Sequence, residues 1–291
     1  MIIVKLMGGL GNQMFQYAIG RSLSIKTNQE LKFDISFLSD KSPKINFTHR
    51  DLELDKFNFD LKFSNSSENR YFKSKVSVLN NLLHKFTLKS KNLYLHENPK
   101  KLLNISSLKR DIYLDGFWQS EFYFSDIREI LLKDFSISSF SSEVEILANE
   151  INKNMSVSIH IRRGDYASNS YINSYHGTCD IDYYLNAISY MEEKLDNPVF
   201  YFFSDDINWV KDNFDSRSNF KFISLIDPMK PHDDLYLMSN CLHNIIANSS
   251  FSWWGAWLNQ NINKLVISPK RWFVNPVNNP VNLIPLSWIR L

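Results

Sequence analysis

Val157-Ser158-Ile159-His160-Ile161-Arg162-Arg163-Gly164-Asp165-Tyr166 sets two guanidinium groups and an imidazole at the end of a short apolar run. Val157-Ser158-Ile159 reads as the end of a buried strand, and Gly164-Asp165 as the turn that follows. The charged cluster therefore stands at the carboxyl end of a strand, where open α/β sheets collect their ligands. Arginine presents a planar fork of donors that matches phosphate oxygens two at a time, so the cluster suits a diphosphate. A surface ion pair would use the same residues, although exposed pairs contribute little. Strand side chains alternate faces, which puts His160 and Arg162 together and leaves Arg163 to a structural role on the other side.

Three further segments bring similar chemistry to strand ends. Ile2-Ile3-Val4-Lys5-Leu6 is a strand pattern, followed by Gly8-Gly9-Leu10-Gly11-Asn12-Gln13 and a helix-like Met14-Phe15-Gln16-Tyr17-Ala18. Glycines there let backbone N–H groups approach a ligand, and a helix start favours an anion. The spacing matches neither the dinucleotide fingerprint nor the P-loop, which sets NAD enzymes and ATPases aside. Ile245-Ile246-Ala247 runs into Asn248-Ser249-Ser250-Phe251-Ser252, whose side chains either cap the next helix or share its donors with a phosphate. Trp253, Trp254 and Trp257 behind that turn read as core. Val199-Phe200-Tyr201-Phe202-Phe203 ends in Ser204-Asp205-Asp206, where a carboxylate accepts from guanine or ribose, or caps a helix near Ile207.

These four segments, in this order, resemble the signature blocks of the α-1,2-fucosyltransferases of glycosyltransferase family 11. Gly116-Phe117-Trp118-Gln119-Ser120-Glu121 and Leu237-Met238-Ser239-Asn240-Cys241 fit that pattern as well, while the stretch from about residue 41 to 110 carries no matching motif. The resemblance implies an α/β, GT-B-like fold of two Rossmann-like domains facing across a cleft. It implies inverting, metal-independent transfer of L-fucose from GDP-fucose to the 2-hydroxyl of a galactose in an oligosaccharide or lipid-linked glycan, with no cofactor beyond the donor. Arg162, His160 and Asn12 are then the expected catalytic residues, with Arg162 on the β-phosphate and Asn12 on the donor or the attacking hydroxyl. Donor contacts are expected from Gly9, Gly11, Asn12, Gln13, His160, Arg162, Asp205, Asn248, Ser249, Ser250 and Phe251. His176 and Asp165 are the candidates for the general base.

Asp180-Ile181-Asp182 is a D-x-D, the pattern with which many sugar-nucleotide transferases hold a divalent cation. It also opens a helix-like run, where acids in the first turn suit the dipole, and that reading is preferred. Another GDP-sugar transferase on the same fold and a non-catalytic glycan-binding module are the competing readings. The second would need aromatic platforms but no diphosphate site.

With 291 residues and 44% hydrophobic content the chain can bury a large core, and its length suits two domains. Residues 1–150 are expected to form an acceptor-side domain with the glycine loop, and residues 151–291 the donor-binding domain, with a proline-rich tail crossing back. A net charge of +2 gives no reason to expect a nucleic-acid partner. Two cysteines, Cys179 and Cys241, argue against a disulfide framework and for a reducing compartment. The chain opens directly on a strand pattern, so neither leader nor anchor is expected, and the location expected is cytoplasmic. Residues 70–110 hold ten lysines and arginines against one acid, Glu97, with Val76, Leu79, Leu82, Leu83 and Phe86 at helical spacing. Such a helix is either the solvated face of a packed helix or a peripheral contact to an anionic membrane at its inner face.

Overall fold

The amino-terminal apolar run forms β1 (Ile2–Lys5), which pairs with β2 (Leu31–Asp34) on one side. β3 (Asn92–His96) and β4 (Asp111–Asp115) complete a sheet of order β2-β1-β4-β3 in which every pair is parallel. Ile2, Ile3 and Val4 are fully buried, as strands covered on both faces require. Helix Leu10–Thr27 lies so close to the sheet that a Cβ on Gly20 would come within 2.7 Å of Val4 and 2.8 Å of Leu31. The described residues of the computed structural model are 1–42, 48–73, 92–104, 110–224 and 230–291.

A second parallel sheet contains β5 (Ser156–Ile161), β6 (Val199–Ser204), β7 (Phe220–Phe222), β8 (His243–Ile245), β9 (Val266–Ser268) and β10 (Ile289–Arg290). Its order, β10-β9-β8-β5-β6-β7, is the doubly wound one: the chain starts in the middle, runs out to β7, and returns to build the other half. The order reverses between β5 and β8, which are paired. One face buries Val157, Ile159 and Ile161 against Tyr184, Ile188 and Met191 of helix Ile181–Lys194. On the other face Tyr201 and Phe203 meet Val144, Ala148 and Ile151 of helix Ser142–Ile151.

Two compact units result, Met1–Ser136 with Pro280–Leu283, and Ile137–Asn279 with Ile284–Leu291. The division thus falls before helix Ser142–Ile151 rather than after residue 150, because that helix gives its apolar face to β6. Residues 280–283 of the tail are part of the first unit, where the Val281 N–H donates to the Pro99 carbonyl at 2.7 Å. The tail then returns, and Trp288 packs on Trp253 with ring centres 5.4 Å apart.

Cys179 and Cys241 are free. Among the described residues no helix is long and apolar enough to cross a membrane. Most of the basic segment, including Val76, Leu79, Leu82, Leu83 and Phe86, lies outside the described residues.

Candidate functional site

Arg162 leaves the end of β5 and its guanidinium pairs with Asp205 at the end of β6, NH1 to Oδ2 at 2.8 Å. The other carboxylate oxygen, Oδ1, accepts the Arg163 N–H at 2.9 Å. Asp205 is thereby committed to fixing the first arginine in place. Gly164 makes this possible, since a Cβ there would collide with the Asp205 carboxylate. Asp206, next along, caps helix Ile207–Asn213 through the Trp209 N–H at 3.2 Å. Arg163 turns away, 3.6 Å from Asp206 and 3.7 Å above the ring of Trp209, the structural position that strand alternation predicts. Arg162, about a quarter exposed, also lies 5.5 Å over the ring of Tyr166.

His160 is buried beneath this pair, its Nδ1 in contact with the Ser252 hydroxyl and its ring 5.4 Å from that of Phe251. The contact joins β5 to the start of helix Ser250–Leu258 across the point where strand order reverses. No side chain caps that helix at Ser249, and its first turn holds no acid. An uncapped N-terminus presents unpaired N–H groups and a positive dipole end, which suits an anion. Trp253, Trp254 and Trp257 are buried behind it, as core.

Burial is the largest influence on His160; it favours the neutral ring and pushes the pKa down to about 4, with Asp205 opposing and Arg162 reinforcing the shift. Unfolded, the ring titrates near 6.5, so the unfolded chain binds the extra proton between about pH 6.5 and 4 and stability is lost as pH falls through that window. His160→Phe should therefore remove about 2 kcal/mol of the stability change between pH 7 and pH 5. Urea titrations of both proteins at the two pH values read this directly. Equal pH dependence would contradict it.

Two residues expected on the donor are occupied by the protein itself. Asn248 is buried, and its amide donates to the carbonyls of His176 at 2.9 Å, Gly177 at 3.2 Å and Trp272 at 3.1 Å, while its Oδ1 accepts from Cys179. Its side chain therefore shapes the loop instead of reaching outward. Gln13 is buried likewise: Nε2 donates to the Gly8 and Asp51 carbonyls at 2.9 and 2.8 Å, and Oε1 accepts the Glu53 N–H at 3.0 Å. Asn12 is less buried, and its Oδ1 accepts from Gln119 at 2.8 Å. Gly9 precedes helix Leu10–Thr27 with no capping side chain, and Gly11 is buried inside its first turn.

His176 stacks on Tyr166 at 4.5 Å and also meets the rings of Tyr175 and Phe273. The Asp165 side chain lies outside the described residues. Asp180 accepts the Tyr183 N–H at 2.8 Å as the cap of helix Ile181–Lys194, the role preferred for the D-x-D.

Sequence reasoning missed Asp234. It stands in the first turn of helix Pro231–Asn240, and its Oδ1 is sealed from solvent with no hydrogen-bond partner among the described residues. Burial, then the charges of Asp233 and Asp205, push its pKa up to about 8. A signal was available, because Asp234 shares a helix face with Leu237 and Met238, three and four residues on, both buried.

The pattern of the family described as Glycosyl transferase family 11 matches residues 1–277. The chain is 38% identical over 295 residues to an α-1,2-colitosyltransferase of Escherichia coli, spanning 100% of this chain and 98% of that protein. It is 36% identical over 308 residues to the O-antigen biosynthesis glycosyltransferase WbnK of Escherichia coli, spanning 98% and 99%. Among solved structures, a mutant of Arabidopsis thaliana FUT1 in complex with GDP superposes with a TM-score of 0.52 at 11% identity, over 93% of this chain and 71% of that one. The fold is thus α/β of the GT-B type. The chain belongs to glycosyl transferase family 11 and is a glycosyltransferase.

Proposed function

We propose that the chain transfers L-fucose from GDP-fucose to the 2-hydroxyl of a galactose in an oligosaccharide or lipid-linked glycan, with inversion and without a metal ion. The observation that carries this reading is Arg162, fixed by Asp205 at the end of β5, beside buried His160 and an uncapped helix N-terminus. Inversion takes one displacement: the acceptor oxygen bonds to the anomeric carbon as the bond to the β-phosphate oxygen breaks. The departing diphosphate gains charge in that step, so cations already aimed at it stabilise the transition state more than the ground state. Arg162 does this work, and the N–H groups near Ser250 and Phe251 share it. His160, neutral, holds the helix start against β5 through Ser252. Asn12, with the glycine loop, meets the donor or the attacking hydroxyl.

The guanine-reading carboxylate assigned to Asp205 is reassigned to Asp234. Asp205 already serves Arg162 and the Arg163 N–H, whereas Asp234 keeps a buried oxygen that guanine N1–H and its exocyclic amine would satisfy.

One relative's name favours a second donor sugar. Colitose is L-fucose without its 3-hydroxyl, and the E. coli relative is a colitosyltransferase. Initial rates with GDP-fucose and GDP-colitose, each competed with GDP and with UDP, separate the readings. Inhibition by GDP but not UDP, with turnover of GDP-fucose, is expected. Equal inhibition by UDP would contradict the guanine site, and faster turnover of GDP-colitose would exchange the donor sugar while leaving the chemistry.

A further inference from the structure

Tyr166 ends the charged segment that follows β5 and lies in the short helix Gly164–Ser168. The chain turns into that helix directly after Arg163. The turn brings the Tyr166 ring back to Arg162, whose guanidinium carbon lies 5.5 Å from the ring centre. The same ring stacks on His176, with centres 4.5 Å apart and planes 18° apart. His176 meets Tyr175 edge-on at 4.9 Å and Phe273 at 5.2 Å, and those two rings meet each other at 5.1 Å. Aromatic pairs of this kind contribute beyond the area they bury and favour particular angles between the rings. Four rings from three separate segments thus form one block, with Arg162 at its end.

The block is tied to the strand end beside it. Asn248, just beyond β8, donates from one buried amide to the carbonyls of His176, Gly177 and Trp272. It thereby holds the loop that carries His176 against the one that carries Phe273. The Val274 N–H adds a bond to the Tyr175 carbonyl at 3.1 Å, and the Asn173 amide reaches the Tyr166 carbonyl at 2.7 Å. Gly177 ends helix Ser170–His176 with φ 66°, a left-handed turn that suits glycine.

Two contacts of different geometry therefore meet at Arg162. Asp205 anchors one end of the guanidinium through NH1 at 2.8 Å, and a ring across a guanidinium favours one tilt of its plane. Together they give the fork a fixed orientation, which is what a preorganised donor to a departing phosphate requires.

We propose that Tyr166 and His176 are positioning residues for Arg162: the stack that Asn248 assembles holds the guanidinium plane toward the diphosphate oxygens. The assignment rests on the reading of Arg162 given above, and it gives His176 a packing duty in place of proton transfer.

Single-turnover rates with GDP-fucose and a β-galactoside test it. Tyr166→Ala should lower the rate by about tenfold or more, and Tyr166→Phe, which keeps the ring, should recover it to within about twofold of wild type. On an Arg162→Lys background, Tyr166→Ala should change the rate by less than about threefold, because an ammonium has no plane to orient. A merely structural loss would be the same on both backgrounds and would overturn the proposal. His176→Phe keeps a ring in the stack without a titrating group, and should retain at least about a third of the wild-type rate. A loss of about 10²-fold in that variant would return His176 to proton transfer. A loss in Tyr166→Phe as large as in Tyr166→Ala would put the hydroxyl on the substrate and overturn the stack's role. If Tyr166→Ala lowers the melting temperature, Tyr166→Leu carries the same comparison. An unchanged rate in Tyr166→Ala, beside a loss in Arg162→Ala, overturns the positioning and upholds Arg162. An unchanged rate in Arg162→Ala overturns both.

Discussion

Arg162→Ala will lower kcat by about 10²- to 10³-fold and leave the protein folded. The magnitude is that of removing one preorganised donor from a developing negative charge, and three features of the site support it. The guanidinium is oriented by Asp205 at 2.8 Å, so it pays no reorganisation as the bond to GDP breaks. It is only partly buried, so its loss leaves no large cavity. Asp205 keeps its bond from the Arg163 N–H, so the strand end retains its shape. Arg162→Lys should recover only part of the rate, because an ammonium cannot hold Asp205 and a phosphate with two parallel bonds. Single-turnover measurements, with circular dichroism to check folding, decide the matter. An Arg162→Ala enzyme with more than about a tenth of wild-type kcat would show that the diphosphate is stabilised elsewhere.

The second large effect belongs to Asp234. Above the Asp234 pKa of about 8, where the carboxylate is ionised, Asp234→Ala should weaken GDP binding by about 10²-fold, since hydrogen bonds to a charged group contribute about 1.5–3 kcal/mol each. The same change should stabilise the free protein at alkaline pH. The folded pKa of Asp234, about 8, lies above its unfolded value of 3.8, so the folded chain binds the extra proton and this group's contribution to stability is lost as pH rises from about 4 to 8. Replacing it removes that loss. Calorimetric titration with GDP, and melting curves at pH 5 and pH 8.5, test the two halves separately. Unchanged GDP affinity would return base recognition to Asp205 or to the main chain. An unchanged melting temperature at pH 8.5 would mean that Asp234 ionises freely.

The strand ends were legible because each ends an apolar run with a turn opened by glycine, aspartate or asparagine, a pattern fixed within about ten residues. The pairing order was not. β5 lies beside β6 and β8, whose paired residues stand 43 and 86 positions away along the chain, and no local periodicity encodes such neighbours. Arg163 followed from strand alternation alone. Gln13 and Asn248 did not, because an amide beside a glycine loop or a helix start looks alike whether it faces a ligand or a carbonyl. Gln13 is held by residues 51–53, within the stretch that carries no motif, and Asn248 by loops at 176–177 and 272. Asp234 was hidden by the opposite effect: acids are so common in the first helical turn that one turned inward passes for a partner of the dipole.

The most direct test of the account is the linkage formed. Incubating the enzyme with GDP-β-L-fucose and a β-galactoside, and reading the product by NMR, should give an α-L-fucosyl residue on O2 of galactose. A β-linked product, or a fucose on any other hydroxyl, would contradict it.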